Sequence, residues 1–142
     1  MSDTDAPGTN QRMEKIVYSD DFIVAVEDPS ARLFRVTRNA TPYINTDSLL
    51  KQIDVVRDYL RDHPKHTLLL DMRNAPLRND PAFEAAAHEM GQVTRRFHRT
   101  AVLVRTAVGG LQARRMQRER GSNNRVFDDE AAAIAYLLEA HA

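Results

Sequence analysis

His66-Thr67-Leu68-Leu69-Leu70-Asp71 is a short unbroken apolar run closed by an acid. A strand wet on one face alternates apolar and polar side chains, whereas three consecutive leucines suit a strand covered on both faces, as in parallel sheets flanked by helices. The neighbouring sequence supplies such covers. Upstream, Leu49, Ile53, Val56 and Leu60 recur at helical spacing, with Asn45 or Thr46 as a cap and Asp62-His63-Pro64 as a stop. Downstream, Asp80-Pro81 opens a second helix: the Asp oxygen can accept free backbone N–H groups, and proline lacks only an N–H that would be unpaired anyway. Phe83, Ala87, Met90, Val93 or Thr94, and Phe97 continue along one face of that helix.

Further along, Thr100 to Val104 reads as a second central strand, and a third helix is expected from about Val108 to Arg120, broken by Gly121-Ser122-Asn123-Asn124. Arg125-Val126-Phe127 follows as a short strand. Asp128 is the expected cap of a final helix reaching about Glu139, with Ile134, Leu137 and Leu138 on its buried side and Ala131 to Ala133 lending helix propensity. Toward the N-terminus, Ile16-Val17-Tyr18 and Phe22 to Val26 favour strands, and Asp28-Pro29-Ser30 is a turn leading into Leu33, Phe34, Val36 and Thr37. Antiparallel pairing across that turn makes the expected fold an α/β domain: a mixed β-sheet with an N-terminal β-hairpin, followed by alternating helices and strands. One domain is expected over 15–140. Residues 1–14, beginning MSDTDAPGTN, are expected to be a disordered polar leader.

The chain has 142 residues and no cysteine, which removes disulfides, thiolate zinc sites and cysteine nucleophiles, and fits a reducing, cytoplasmic setting. Its longest apolar stretches fall far short of a membrane helix. Formal net charge is zero but unevenly spread: residues 1–62 carry 8 Lys and Arg against 11 acids, residues 84–125 carry 9 against 3, and residues 126–142 carry none against 4. Such asymmetry favours oriented protein encounter or homo-oligomer formation over a uniformly basic nucleic-acid surface.

The early hairpin, the strand Leu68-Leu69-Leu70-Asp71 with Met72-Arg73-Asn74 after it, the strand Ala101 to Val104 and the ending Val126-Phe127-Asp128-Asp129-Glu130 through Leu137 together resemble the STAS/SpoIIAA-like superfamily over roughly residues 15–140. The resemblance implies a SpoIIAA-like fold and a regulatory role exercised through protein contacts. Members of the anti-sigma-factor antagonist type carry a regulatory serine at the start of the helix after the central strand. The matching stretch here, Leu77-Arg78-Asn79-Asp80-Pro81-Ala82, contains no Ser or Thr. Asp80 stands near that position, either as a fixed negative charge or as an ordinary helix cap.

Other candidate sites are weaker. Gly109-Gly110 precedes an arginine-rich helix but lacks the spacing of a P-loop or dinucleotide fingerprint. Arg114 and Arg118 share one side of that helix; Arg115 and Glu119 can pair at i,i+4. Guanidinium groups so displayed suit a carboxylate-bearing partner, against the plainer reading of a solvated face. Arg95, Arg96, His98 and Arg99 complement a helix C-terminus. Without aromatic interleaving or a reader motif, these clusters do not favour nucleic acid. His63, His66, His88, His98 and His141 form no metal-ligand spacing, and no cofactor is implied. Asp71 is the best placed polar group for an active site, because α/β ligands gather at the carboxyl ends of strands, and it is equally a loop-capping acid with Arg73 nearby.

The leading expectation is a non-enzymatic regulatory or scaffold module. A protein partner would be bound by the loop at 73–80 and the basic helix, through Arg73, Leu77, Arg78, Asp80, Arg114, Arg115 and Arg118, with Leu77 or Met72 as an apolar anchor. One alternative is a small lipid or metabolite carrier with Phe83, Met90, Phe97 and Leu111 lining a pocket. Another is an enzyme with a motif-free site near Asp71.

Overall fold

The computed structural model describes residues 14–76, 80–105 and 124–142. Six strands form one sheet in chain order: β1 (Lys15–Ser19), β2 (Ile23–Asp28), β3 (Leu33–Arg38), β4 (Thr67–Asp71), β5 (Thr100–Leu103) and β6 (Asn124–Phe127). The first three make an antiparallel meander, and β3 through β6 are parallel. The expected hairpin is therefore the β2–β3 pair, with β1 added outside it. Asp28 drives the turn between them, accepting from the Ala31 N–H at 3.2 Å ahead of the short 3-10 segment Pro29–Ala31. Arg32 closes that turn at φ 50, a left-handed conformation that costs a non-glycine residue about 1–2 kcal/mol.

Helix α1 (Asp47–Asp62) connects β3 to β4, and α2 (Pro81–Thr94) lies between β4 and β5. Successive parallel crossovers that step the same way across a sheet bring their helices to the same face. Accordingly α1 and α2 pack on each other. They enclose a core of Ile23, Ala25, Phe34, Val36, Leu49, Ile53, Val56, Tyr59, Leu60, Leu68, Ala86, Val93 and Phe97. Helix α3 (Glu130–Glu139) returns from β6 onto β4, β5 and β6 and closes the opposite face over Leu33, Leu69, Ala101 and Leu103 with Ala133 and Leu137. Leu68 and Leu69 are both fully buried, one in each core, which is why the leucine run has no alternation.

Three details depart from the sequence reading. Helix α2 stops at Thr94, so Phe97 lies in the turn beyond it, yet it remains 1% exposed in the same core. The cap of α3 is Asp129, whose carboxylate accepts from the Ala132 N–H at 3.0 Å, rather than Asp128. In α3 the buried apolar residues are Ala133 and Leu137, whereas Leu138 is 43% exposed. Successive helical residues point about 100° apart, so burying Ala133 and Leu137 turns Leu138 toward solvent. For α1, Thr46 occupies the cap position without a side-chain bond, while Asn45 Oδ1 accepts from the Asp47 N–H at 3.0 Å. The helix expected over 108–120 and residues 1–13 of the leader expected over 1–14 lie outside the described residues.

Candidate functional site

Parallel strands and their crossover helices give the molecule two unlike ends. At the end where β3 to β6 finish, the loops after β3 and β4 meet the N-termini of all three described helices. The opposite end gathers the helix C-termini and the segments leading into β4 and β5.

At the first end the chemistry centres on Asp71, which closes β4 and is only 3% exposed. Arg35, from the adjacent parallel strand, donates to Asp71 Oδ2 at 2.9 Å and to Glu130 Oε2 at 3.0 Å. Arg73, in the loop two residues on, donates to both Asp71 oxygens at 2.9 and 2.7 Å and to Glu130 Oε1 at 3.0 Å. Two guanidinium groups and two carboxylates thus form a closed, charge-balanced ring joining β3, β4, the following loop and the first residue of α3. Burial pushes the Asp71 carboxyl up, but the hydrogen bonds from Arg73 and Arg35 outweigh it and hold the group below the ordinary range. Glu130 is likewise held low by Arg35, against the opposing effect of burial. Both acids stay ionised at neutral pH, which suits a structural clasp; a general acid or base needs a pKa nearer the working pH.

Asp80 caps α2 in the expected manner: its Oδ1 accepts from the Phe83 N–H at 2.8 Å, with Pro81 in the first turn. Arg73 and Asp80 are therefore on one end of the fold, Arg73 half-exposed beside an exposed Met72. Leu77, Arg78, Arg114, Arg115 and Arg118 lie outside the described residues. Among the described residues, three large apolar side chains are exposed at this end: Ile44 in the loop before α1, at 91%, Leu50 in the first turn of α1, at 40%, and Met72, at 39%. Ile44 and Leu50 were missed as contact residues in the sequence: the helical spacing of Leu49, Ile53, Val56 and Leu60 leaves Leu50 off the buried face, but nothing local marks it or Ile44 as part of a surface.

The same loop after β3 is firmly seated behind its exposed tip. Arg38 stacks over Tyr43 with its guanidinium carbon 4.0 Å from the ring centre, and donates to the Asn39 carbonyl at 2.7 Å. The Tyr43 hydroxyl donates to Gln52 of α1, and the Tyr43 ring lies 5.0 Å from Phe22 and 5.9 Å from Phe83. Next to it, burial and a 2.8 Å hydrogen bond to Asp20 push the Tyr18 hydroxyl up to about 12. Phe83, Met90 and Phe97, the residues considered for an apolar pocket, pack into the core under α1 and α2. Leu111 lies outside the described residues.

At the opposite end, Tyr59 donates to Glu27 Oε2 at 2.9 Å and stacks between Phe34 and His63, with ring centres 3.8 and 4.1 Å away. His66 stands edge-on to both Tyr59 and His63. No group of residues suited to holding a metal ion occurs among the described residues, and no described helix is long and apolar enough to cross a membrane.

No family model matches the chain, and no curated protein matches it in sequence. In structure it is similar to the crystal structure of an uncharacterized protein of the DUF3478 family from Shewanella loihica PV-4, which has a SpoIIAA-like fold. The TM-score is 0.59 at 13% identity, over 93% of this chain and 99% of that one. The chain therefore has a SpoIIAA-like α/β fold, as the resemblance in its sequence implied.

Proposed function

We propose that this protein is a non-enzymatic regulatory or scaffold module that binds a protein partner at the end of the sheet where β3 and β4 finish. The observation that carries the reading is the set of exposed apolar side chains at this end, Ile44, Leu50 and Met72, together with the half-exposed guanidinium of Arg73 at the same end. Apolar anchors combined with an arginine are the usual composition of a protein contact with a few energetically dominant residues. The surface is backed by the Arg38–Tyr43 contact on one side and the Asp71 ring on the other, contacts that lower the ordering cost of binding. Leu77, Arg78, Asp80 and the arginines at 114, 115 and 118 belong to the proposed contact as well, the arginines steering an acidic partner.

Asp71 favours this reading over catalysis: its carboxylate is engaged by two guanidinium groups and held ionised, leaving it occupied in position and charge. The test is capture of the partner from source cells by wild-type protein and by an Arg114→Glu/Arg118→Glu variant, both checked for folding by circular dichroism. Loss of the partner from a folded variant supports the assignment; equal capture by both refutes the role of Arg114 and Arg118.

A further inference from the structure

Four of the five histidines lie at the end remote from the proposed partner surface. His63 follows α1, His66 precedes β4, His98 precedes β5, and His141 follows α3. Their contacts join segments far apart in the chain. His63 Nδ1 lies 3.1 Å from the Tyr59 carbonyl and its Nε2 3.5 Å from Glu27 Oε2. Its ring centre is 4.8 Å from that of His66. His98 lies 5.8 Å from His141, ring to ring, and its Nε2 is 3.1 Å from the Ala140 carbonyl. The backbone follows the same seam: the His66 N–H donates to the His63 carbonyl, and the His98 N–H to the His66 carbonyl.

We propose that this seam is an acid-sensitive latch, which while its imidazoles are neutral holds the end of α1 and the C-terminal turn of the chain against the start of the parallel strands, and loosens when His66 and His141 take up protons. The Nε2 atoms of both residues are buried and have no hydrogen-bond partner among the described residues. A proton placed there creates a buried, charged donor with no described acceptor, which is costly. The charged surroundings add to the cost. His66 faces His63, His141 and, from the turn before β3, Arg32; His141 faces Arg32 and His98. Glu27 is the acid that opposes this around His66, and it is already engaged by Tyr59 at 2.9 Å and Lys15 at 3.9 Å. Burial first, and unfavourable charge interactions with these neighbours second, hold both imidazoles below the ordinary histidine range, although a backbone hydrogen bond at Arg32 pulls His141 the other way.

The sign follows from linkage. The unfolded segment binds protons at an ordinary histidine pKa of about 6.5 while the folded one resists them, so the latch is fully closed above that pH and weakens as pH falls through it. The weakening amounts to about tenfold for each unit by which a midpoint is lowered.

Imidazole NMR titration of the wild-type protein reads the midpoints directly. His66 and His141 should titrate below about 6.5, and midpoints at or above that value overturn the proposal. Amide exchange, corrected for the intrinsic effect of pH and compared at about pH 7.5 and 5, should show protection lost at His66, His98, His141 and Ala142 but kept at Leu69 and Ala101. Loss spread evenly over the sheet, or no loss, overturns it. His66→Phe retains a ring without a titrating nitrogen and should abolish most of the acid effect; an unchanged acid effect in the folded variant contradicts the assignment to His66.

Discussion

Asp71 ends the leucine run, and its surroundings explain why an acid stands at a buried position. Removing one partner of a buried ion pair leaves the others uncompensated, so Asp71→Asn should lower stability by about 3 kcal/mol in urea unfolding. The carboxylates of the ring also set an acid limit. Asp71 and Glu130 are held below their ordinary values of 3.8 and 4.5, so their contribution is present above those values and lost as pH falls through the lower folded-state midpoints. That acid loss lies below the histidine range, and Asp71→Asn should diminish it while leaving the histidine-dependent loss in place. From sequence alone Asp71 could be read as a site residue or as a loop acid; the deciding partners, Arg35 and Glu130, are 36 and 59 positions away, and no local pattern links them to it.

Within elements, legibility tracked how local the signal was. Asp80-Pro81 specifies its own helix start, and the structure shows the cap as expected. Asp128-Asp129-Glu130 offers adjacent acids, and local propensity does not choose between two neighbouring aspartates; the register of α3 against the sheet does. Asp129→Ala should therefore cost about 1 kcal/mol, whereas Asp128→Ala should be close to neutral. Leu137→Ala, which empties a fully buried position, should cost about 2–5 kcal/mol, and Leu138→Ala much less. Thermal or urea unfolding of these four variants checks both pairs. Phe97 shows the converse: its helical spacing was misread as helix, but its apolar character correctly placed it in the core.

Across the whole molecule, the periodicities of the chain carried the architecture because each was local and strong: a both-faces-buried strand, two amphipathic helices and a turn. The outward-facing surface was harder to read: helical spacing leaves Leu50 off the buried face, but Ile44 follows no periodicity, and only the packed fold brings Ile44, Leu50 and Met72 to one end of the sheet. The fold also separates the two proposed roles, with partner contact at the end where β3 and β4 finish and acid sensing at the end where the helices terminate. The most direct test is quantitative capture of the partner by three folded proteins: wild type, Ile44→Asp/Met72→Asp at the first end, and Arg96→Glu at the second. The proposed surface predicts that the double variant loses the partner while Arg96→Glu retains it at the wild-type level. Retention by the folded double variant would contradict the account.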